Sequence, residues 1–303
     1  MDLDRLASAL DGLEGTLLRN EPMAKHTTFC AGGPADLLFL PASEEAAALS
    51  LRTAQEEDIP CMVMGAGSNL AVPSAGIRGL VIAMADGFSR VEQRDTVITA
   101  QAGAKLTRLA RRAAEASLTG LEFASGIPGS AGGGTAMNAG AYEGQLSDVF
   151  EKARVLIDGK VEDITLSEMD YGYRHSMPLE KGAVVLTASF RLRPGDREAI
   201  EDTMRDMNRR RREKQPLEYP SAGSVFKRPS GNYAGALIEQ AGLKGLSIGG
   251  ARVSEKHAGF IINTGNASGD DIIALIELVR QKVYEHSGIL LEREVRIPGV
   301  DAL

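Results

Sequence analysis

The chain has 303 residues, of which 43% are hydrophobic and 25% are charged, and its formal net charge is -7. This composition is ordinary for a globular protein of two or three domains, and the acidic balance argues against a general nucleic-acid binder. The sequence contains no apolar run of the roughly 18 residues that a membrane span requires.

The N-terminal stretch MDLDRLASALDGLEG is acidic and amphipathic, and it predicts a helical segment over residues 1–20. It lacks the basic and apolar regions of a signal peptide, so we expect a cytoplasmic protein. Cys30 and Cys61 belong to no CxxC pair and are interpreted as reduced thiols in or near the core. The four histidines are far apart and no HExxH occurs, so no metal site is expected.

Residues 21–85 predict a strand, a helix, a strand, a loop and a further strand. Ser43 can cap a helix that carries Glu44 and Glu45 in its first turn and ends before Pro60. The predicted strands cover residues 36–40, 61–64 and 79–84.

The loop GAGSNL at residues 65–70 follows the second of these strands and begins like a dinucleotide fingerprint. Leu70 stands where that fingerprint requires its third glycine, and the following AVPSAGIRG cannot form the long helix that a Rossmann fold needs. The loop can still surround a phosphate with backbone amides, because glycine permits unusual φ angles and close approach. A simple turn between strands is an equally good interpretation.

Residues 86–215 predict a hairpin at 90–103, an amphipathic helix at 106–118, strands within 153–166 and 184–194, and a helix at 196–214. The stretch GIPGSAGGGTAMNAGAYEG at 126–144 carries seven glycines. Glycines 132–134 would allow backbone amides to face an anion, or would allow a helix to pack closely on a strand. Together with the first loop they favour a dinucleotide bound outside a Rossmann fold, and the absence of GxxxxGK[ST] excludes a P-loop.

Residues 216–303 predict helices at 232–243 and 270–288 and strands at 251–254, 259–264 and 289–297. Helices and strands are intermingled along the whole chain, and the strands alternate in polarity. This pattern favours an α+β protein over a doubly wound parallel sheet.

Three polar residues in the second half of the chain are candidate catalytic groups. Arg174 lies in a predicted loop, where it forms a surface ion pair or recognises a carboxylate. Ser224 follows Ala-Gly, where it is a turn residue or a proton donor. Glu294 shares one face of the predicted strand with Glu292 and Arg296, and is either solvated or an inward-facing acid. The run RRRREK at 209–214 is a solvated helix end or a phosphate-binding surface.

Seven motifs extend from about residue 20 to the C-terminus: HTTFCAGGPAD, MGAGSNL, EFASGIPGSAGGGTAMNAGAYEG, YGYRHS, SAGSVFKRP, SEKHAGFIIN and LEREVRIPG. In this order they resemble the UDP-N-acetylenolpyruvoylglucosamine reductase family, flavoenzymes of peptidoglycan precursor synthesis known as MurB. The spacing from Lys214 to Ser224 and the sequence FKRP resemble its short branch.

The resemblance implies an α+β fold of the PCMH or vanillyl-alcohol-oxidase type. Residues 21–85 and 86–215 would form two FAD-binding subdomains, and residues 216–303 a C-terminal substrate-binding domain. Non-covalent FAD is implied, since nothing assigns His26 as a covalent attachment site. The implied FAD-binding residues are Gly65, Ala66, Gly67, Ser68, Asn69, Gly126, Ile127, Pro128, Gly129 and Ser130.

The implied reaction is the NADPH-dependent reduction of UDP-N-acetylglucosamine enolpyruvate. In the family pattern Ser224 matches the proton donor, and Arg174 and Glu294 match the residues that stabilise the reacting enolpyruvyl group. Lys214, Arg228 and Tyr173 are expected to bind substrate, with Lys214 and Arg228 replacing a tyrosine clamp of the long branch. We expect a monomer that binds neither nucleic acid nor membranes. The alternatives are another PCMH-type flavin dehydrogenase and a non-catalytic nucleotide-sugar-binding protein.

Overall fold

The structure is a computed structural model that describes residues 2–301, so that Met1, Ala302 and Leu303 lie outside it. The chain forms two compact units, each built from separate stretches. Within the described residues, the first unit comprises 2–18, 37–66 and 79–211, and the second comprises 19–36, 67–78 and 212–301. The division into segments 1–20, 21–85, 86–215 and 216–303 stays a prediction.

Several α-helices begin or end with a capping signal. Ser43 accepts a hydrogen bond from the Ala46 amide, as predicted, and Ser268 forms a capping box with Asp271. Gly288 ends the last helix in the left-handed conformation, with φ of 71°. The α-helices are α1 Leu3–Leu10, α2 Glu44–Glu56, α3 Leu106–Glu115, α4 Ala131–Ala136, α5 Met177–Lys181, α6 Arg197–Lys214, α7 Ala234–Gln240 and α8 Gly269–Ser287.

The strands form two four-stranded sheets, one five-stranded sheet and two short pairs. They are β1 Gly15–Pro22, β2 Pro34–Pro41, β3 Cys61–Met64, β4 Ile77–Ala83, β5 Val91–Arg94, β6 Val97–Gln101, β7 Leu118–Thr119, β8 Gly140–Ala141, β9 Gly144–Gln145, β10 Phe150–Ile157, β11 Lys160–Thr165, β12 Val184–Arg191, β13 Arg193–Pro194, β14 Ser221–Ser224, β15 Ser247–Ile248, β16 Ala251–Val253 and β17 Phe260–Asn263. The four-stranded sheets have the orders β1-β2-β4-β3 and β14-β17-β16-β15, and the five-stranded sheet has the order β11-β10-β12-β6-β5.

The five-stranded sheet of the first unit is antiparallel throughout. The predicted hairpin at 90–103 is confirmed as β5 and β6. Asp158 and Gly159 join β10 to β11 with φ angles of 48° and 73°, the conformation that a tight two-residue hairpin requires. The pairing of β3 with β4 is parallel. Helices and strands are intermingled along the chain, as the predicted α+β class requires.

In the second unit, α8 packs on the sheet β14-β17-β16-β15 and α7 packs against α8. Its core includes the fully buried side chains of Phe226 and Leu275. Asn263 is buried at the end of β17, where its side-chain amide donates to the Phe29 carbonyl at 2.9 Å and its Oδ1 accepts from the Gly265 and Ala267 amides. A buried amide with these bonds satisfied fixes the loop after β17.

Three expectations from the sequence are wrong. The N-terminal segment is helical only from Leu3 to Leu10, and β1, which begins at Gly15, was not predicted. Cys30 is exposed rather than near the core, because its backbone turns at a φ of 52° between the buried residues Phe29 and Ala31.

The third error is the strand predicted at 289–297, which forms isolated bridges instead. Arg293 bridges to Phe226 and Arg296 bridges to Leu70, so the segment changes partners and builds no continuous ladder. Its alternation nevertheless persists, since Leu291, Val295 and Ile297 are buried.

Candidate functional site

The two glycine-rich segments meet inside the first unit. Gly65 follows β3 directly, and Ser130 caps α4 by accepting a hydrogen bond from the Gly133 amide at 3.4 Å. A Cβ atom built on Gly65 would lie 2.1 Å from Ser130 Oγ and 3.9 Å from the Gly133 nitrogen. Only a hydrogen atom fits at Gly65, so two residues predicted to bind FAD pack directly against each other. Ser130 is buried there, and the exposed Gly133 beside it gives this place a glycine-rich surface.

Glycines 132 to 134 belong to the short helix α4, and not to an open loop of amides. The Gly132 amide donates to the Ala102 carbonyl and the Gly134 amide to the Ser130 carbonyl, so neither is available to an anion. A Cβ on Gly132 would lie 2.7 Å from Ala102 Cβ, and one on Gly134 would lie 2.9 Å from Leu106 Cδ1. Two of the three glycines therefore serve helix packing, the alternative left open by the sequence, while Gly133 is exposed.

Arg174 lies at the tip of a tight turn in the first unit. The Gly172 and His175 backbones bond to each other, and the side-chain amide of Asn138 donates to the Gly172 carbonyl at 3.1 Å. Arg174 has a φ of 55°, an unfavourable value for a residue with a side chain. Its Nη2 donates to the Gly140 carbonyl at 3.4 Å, and its Cζ lies 5.0 Å from the ring centroid of Tyr173. The predicted pair Tyr173 and Arg174 is thus held at an exposed, strained turn.

Ser224 and the backbone of Glu294 come together in the second unit. The residue after Ser224, Val225, accepts a hydrogen bond from the Glu294 amide at 2.8 Å, and the Lys227 amide donates to the Glu292 carbonyl at 2.9 Å. Ser224 Oγ donates to the Phe226 carbonyl at 3.2 Å. Chain pairing therefore places a hydroxyl donor and a carboxyl residue on adjacent segments. Their association with Arg174, which belongs to the first unit, stays a prediction.

Asn69, predicted to bind FAD, also positions the Glu294 segment. Its side-chain amide donates to the Glu294 carbonyl at 3.0 Å, and its own carbonyl accepts from the Arg296 amide at 3.0 Å. Gly67 precedes it with a φ of 62°, and a Cβ there would lie 2.0 Å from the His26 carbonyl oxygen. Gly67 thus has an unusual φ angle of the kind that the sequence analysis attributed to a glycine in this loop, but the close approach there is to the chain's own backbone.

His257 was quoted within a motif, but no role was assigned to it from the sequence. Its Nδ1 accepts a hydrogen bond from the Gly259 amide at 3.1 Å, which leaves Nε2 to carry the proton of the neutral ring. A Cβ built on Gly259 would lie 3.0 Å from His257 Cε1 and 3.3 Å from Ser224 Oγ. A glycine here lets both side chains approach the same point, a feature that only the folded chain reveals.

Burial of the imidazole lowers the pKa of His257 below the usual 6.5, and the nearby Lys244 adds to this effect while Glu239 opposes it. Because the folded state favours the neutral ring, its contribution to stability is complete above pH 6.5 and is lost as the pH falls through the folded pKa. We expect the thermal midpoint of His257→Asn to depend less on pH below 6.5 than that of the wild type. His286→Asn, an exposed position, should keep the wild-type dependence; identical curves for all three proteins would contradict this assignment.

The predicted substrate-binding residues of the second unit are exposed. Lys214 ends α6, and Arg228 follows the Ser224 strand. The Arg228 Cζ lies 4.0 Å from the ring centroid of Tyr233, a cation–π arrangement with a tyrosine that is 62% exposed. Tyr233 was not singled out from the sequence, because the pairing depends on the turn between the two residues.

Asp170, His175 and Glu180 place their ligand atoms within 4.8 Å of one another. Sequence spacing did not predict this group, because its two carboxylates flank a single histidine. The His175 Nε2 lies 3.5 Å from Asp170 Oδ2 and 3.7 Å from Glu180 Oε2, and both carboxylates are exposed. These are exposed surface contacts beside the Arg174 turn, of a kind that contributes little to stability.

Comparison with known proteins bears on both units. Residues 35–165 match the family described as FAD binding domain, and residues 215–298 match the C-terminal domain of UDP-N-acetylenolpyruvoylglucosamine reductase. The UDP-N-acetylenolpyruvoylglucosamine reductase of Agathobacter rectalis is 50% identical over 296 residues, covering 93% of this chain and 94% of that protein. That of Caldanaerobacter subterraneus subsp. tengcongensis is 48% identical over 298 residues and covers 98% of both chains.

The chain belongs to the UDP-N-acetylenolpyruvoylglucosamine reductase family. A crystal structure of the reductase (MurB) from Thermus caldophilus has a TM-score of 0.80 and 33% identity, covering 94% of this chain and 99% of that one. Membership confirms the predicted α+β fold class, a PCMH-type FAD-binding fold followed by a C-terminal substrate-binding domain. It also confirms the prediction of an FAD-containing oxidoreductase.

Among residues 2–301, no helix is long and apolar enough to span a membrane.

Proposed function

We propose that this member of the family reduces UDP-N-acetylglucosamine enolpyruvate to UDP-N-acetylmuramate with NADPH and non-covalent FAD. The observation that carries the proposal is the pairing that places Ser224 and Glu294 on adjacent segments of the second unit. Asn69 fixes the Glu294 backbone, so a hydroxyl donor and a carboxyl group are held near each other. This pair suits the delivery of a proton to a carbon–carbon double bond during its reduction better than it suits acyl transfer.

The residues at the glycine-rich surface fit FAD. Gly65 has no room for a side chain, Gly133 is exposed, and the Ser130 hydroxyl lies between them, so a flat, phosphate-bearing cofactor meets bare backbone. We propose that Gly65–Asn69 and Gly126–Ser130 hold it. When bound, FAD would supply the hydride that originates from NADPH.

In the proposed reduction, Ser224 protonates C2 of the enolpyruvyl group. Addition of hydride to C3 breaks the π bond and moves its electron pair toward C2 and the adjacent carboxylate. Ser224 gives its hydroxyl proton to C2, and the resulting alkoxide recovers a proton from water. Arg174 would hold the substrate carboxylate through its planar guanidinium, and Glu294 would stabilise the same group by hydrogen bonding.

Lys214, Arg228 and Tyr173 are proposed to bind the substrate. Arg228 is supported over a tyrosine ring, which holds its guanidinium in place for a diphosphate. We further propose a cytoplasmic monomer whose FAD-binding part comprises residues 21–85 and 86–215, with residues 216–303 forming the substrate-binding domain.

A spectroscopic titration tests this function. The purified wild-type protein should be yellow, should bleach with NADPH in the absence of oxygen, and should recover its colour when the enolpyruvyl sugar nucleotide is added. A colourless protein that binds the sugar nucleotide would indicate a non-catalytic binding protein. Bleaching without recovery would indicate a different PCMH-type flavin dehydrogenase.

A further inference from the structure

Helix α6 carries a series of arginines, most of which form ion pairs along the helix. Arg197 pairs with Glu201, and Arg205 and Arg209 pair with Asp202 and Asp206 respectively. These are solvent-exposed pairs three or four residues apart, as is usual on a charged helix surface. In the run 209–214, which the sequence left open as a solvated helix end or a phosphate-binding surface, Arg209 and Arg210 both pair with Asp206 in this way.

Arg211 differs from these neighbours. Within residues 2–301 its guanidinium makes no hydrogen bond and no ion pair, although the side chain is half-buried. Burial lowers the pKa of Arg211, but a guanidinium still remains charged at neutral pH. Placing a charge in such surroundings without a partner costs free energy, so buried charges in proteins are normally paired.

The position of Arg211 connects it to the glycine-rich surface. A Cβ built on Gly126 would lie 3.1 Å from Arg211 Nη1 and 2.8 Å from Asn208 Oδ1. Asn208 in turn donates from its Nδ2 to Ser125 Oγ at 3.1 Å. The absence of a side chain at Gly126 therefore lets the C-terminal part of α6 touch the start of the segment Gly126–Ser130.

A second contact fixes this part of α6. The Tyr142 hydroxyl donates to the Met207 carbonyl at 2.5 Å, and the guanidinium of Arg210 lies 4.8 Å above the Tyr142 ring. With Met207, Asn208 and Arg210 held by the surrounding chain, the backbone beneath Arg211 is preorganised. An external anion at Gly126 would meet a charge already in place.

We propose that Arg211 is an FAD-binding residue whose guanidinium pairs with an anionic oxygen of the cofactor at Gly126. The inference rests on FAD binding as part of the proposed function. The anionic oxygen belongs either to the cofactor phosphates, which are charged in both redox states, or to the pyrimidine end of the flavin ring, which gains charge on reduction. We favour the ring, because the segment 65–69 is the proposed phosphate site.

The test compares Arg211→Gln with Arg205→Gln in the full-length protein. Both variants remove one positive charge from α6, but Arg205 is exposed and paired with Asp202. Loss of a charge-assisted hydrogen bond should weaken FAD binding by about 10- to 100-fold in Arg211→Gln alone. Arg211→Lys, which keeps the charge but not the planar fork, should restore part of the affinity.

Thermal unfolding separates a cofactor role from a structural one. Since the Arg211 guanidinium makes no hydrogen bond or ion pair with residues 2–301, Arg211→Gln should leave the midpoint of the FAD-free protein unchanged or raised, while reducing the rise that FAD produces. If reduced FAD loses tenfold more affinity than oxidised FAD, the two-electron potential falls by about 30 mV, which supports the ring. Weaker binding at an unchanged potential supports the phosphates.

The inference is overturned if Arg211→Gln binds FAD as tightly as Arg205→Gln, or if only the KM for NADPH or sugar nucleotide changes. A wild-type protein that binds no FAD would instead refute the proposed function. The flavin content and flavin affinity of the wild type are therefore measured first and serve as the reference for both variants.

Discussion

Ser224→Ala should reduce substrate turnover by about 10²- to 10⁴-fold, the range typical for loss of a general acid, while leaving the reduction of bound flavin by NADPH unchanged. The side chain touches its surroundings through one hydrogen bond, to the Phe226 carbonyl at 3.2 Å, so the fold loses about 1 kcal/mol. The proton donor matters only when C2 receives its proton, which follows hydride transfer from NADPH. The defect should therefore be confined to the second half-reaction.

Anaerobic stopped-flow absorbance of the flavin measures the two half-reactions separately. Ser221→Ala, at the beginning of the same strand β14, serves as the matched control and should retain both rates. Equal slowing of both half-reactions in Ser224→Ala would show that the hydroxyl supports cofactor or fold and is not the proton donor. Full turnover in Ser224→Ala would exclude the assignment.

Gly67→Ala should destabilise the second unit and lower the flavin content of the purified protein. The new Cβ would lie 2.0 Å from the His26 carbonyl oxygen and 3.0 Å from Thr27 Cα, and these backbone atoms cannot move away as a side-chain end can. The φ of 62° adds the strain of a left-handed residue. Asn69, two residues later, would then shift relative to the Glu294 carbonyl that it binds.

Gly242→Ala separates the steric from the conformational effect. Gly242 lies in the same unit with a φ of 70°, but no atom lies within 4 Å of a Cβ built there. We expect Gly242→Ala to cost about 1 kcal/mol and to retain FAD, and Gly67→Ala to cost about 2 kcal/mol more. Urea unfolding and the flavin absorbance of the purified variants provide the comparison. Equal midpoints would show that contact with His26 does not select glycine.

Local sequence signals predicted many elements of the fold. Ser43, followed by two glutamates, predicted the start of α2, and the sequence pattern of residues 90–103 predicted the β5–β6 hairpin. Elements whose formation depends on distant partners were missed. Strand β1 pairs with β2 in the sheet, and residues 15–22 lack the regular alternation of apolar and polar side chains that would have predicted a strand.

The segment 289–297 shows the opposite error. Its alternating side chains correctly predicted which residues are buried, but the pattern carries no information about hydrogen-bond partners. Because Arg293 and Arg296 bridge to different segments, the alternation survives without a strand. Side-chain burial is a local periodic property, whereas a ladder requires a neighbour that continues alongside.

The amino-acid sequence determined the family, the α+β class and the residues expected at the site. The order of the motifs and the spacing of apolar residues are properties of the sequence itself and do not depend on which segments meet in the fold. The tertiary structure decided which of the glycines face an opening and which only allow packing, since that depends on the atom opposite each missing Cβ. It also singled out His257, through the burial of its ring, and Arg211, whose guanidinium makes no hydrogen bond or ion pair with residues 2–301. Both properties arise only when separated segments of the chain meet, so the sequence alone does not show them.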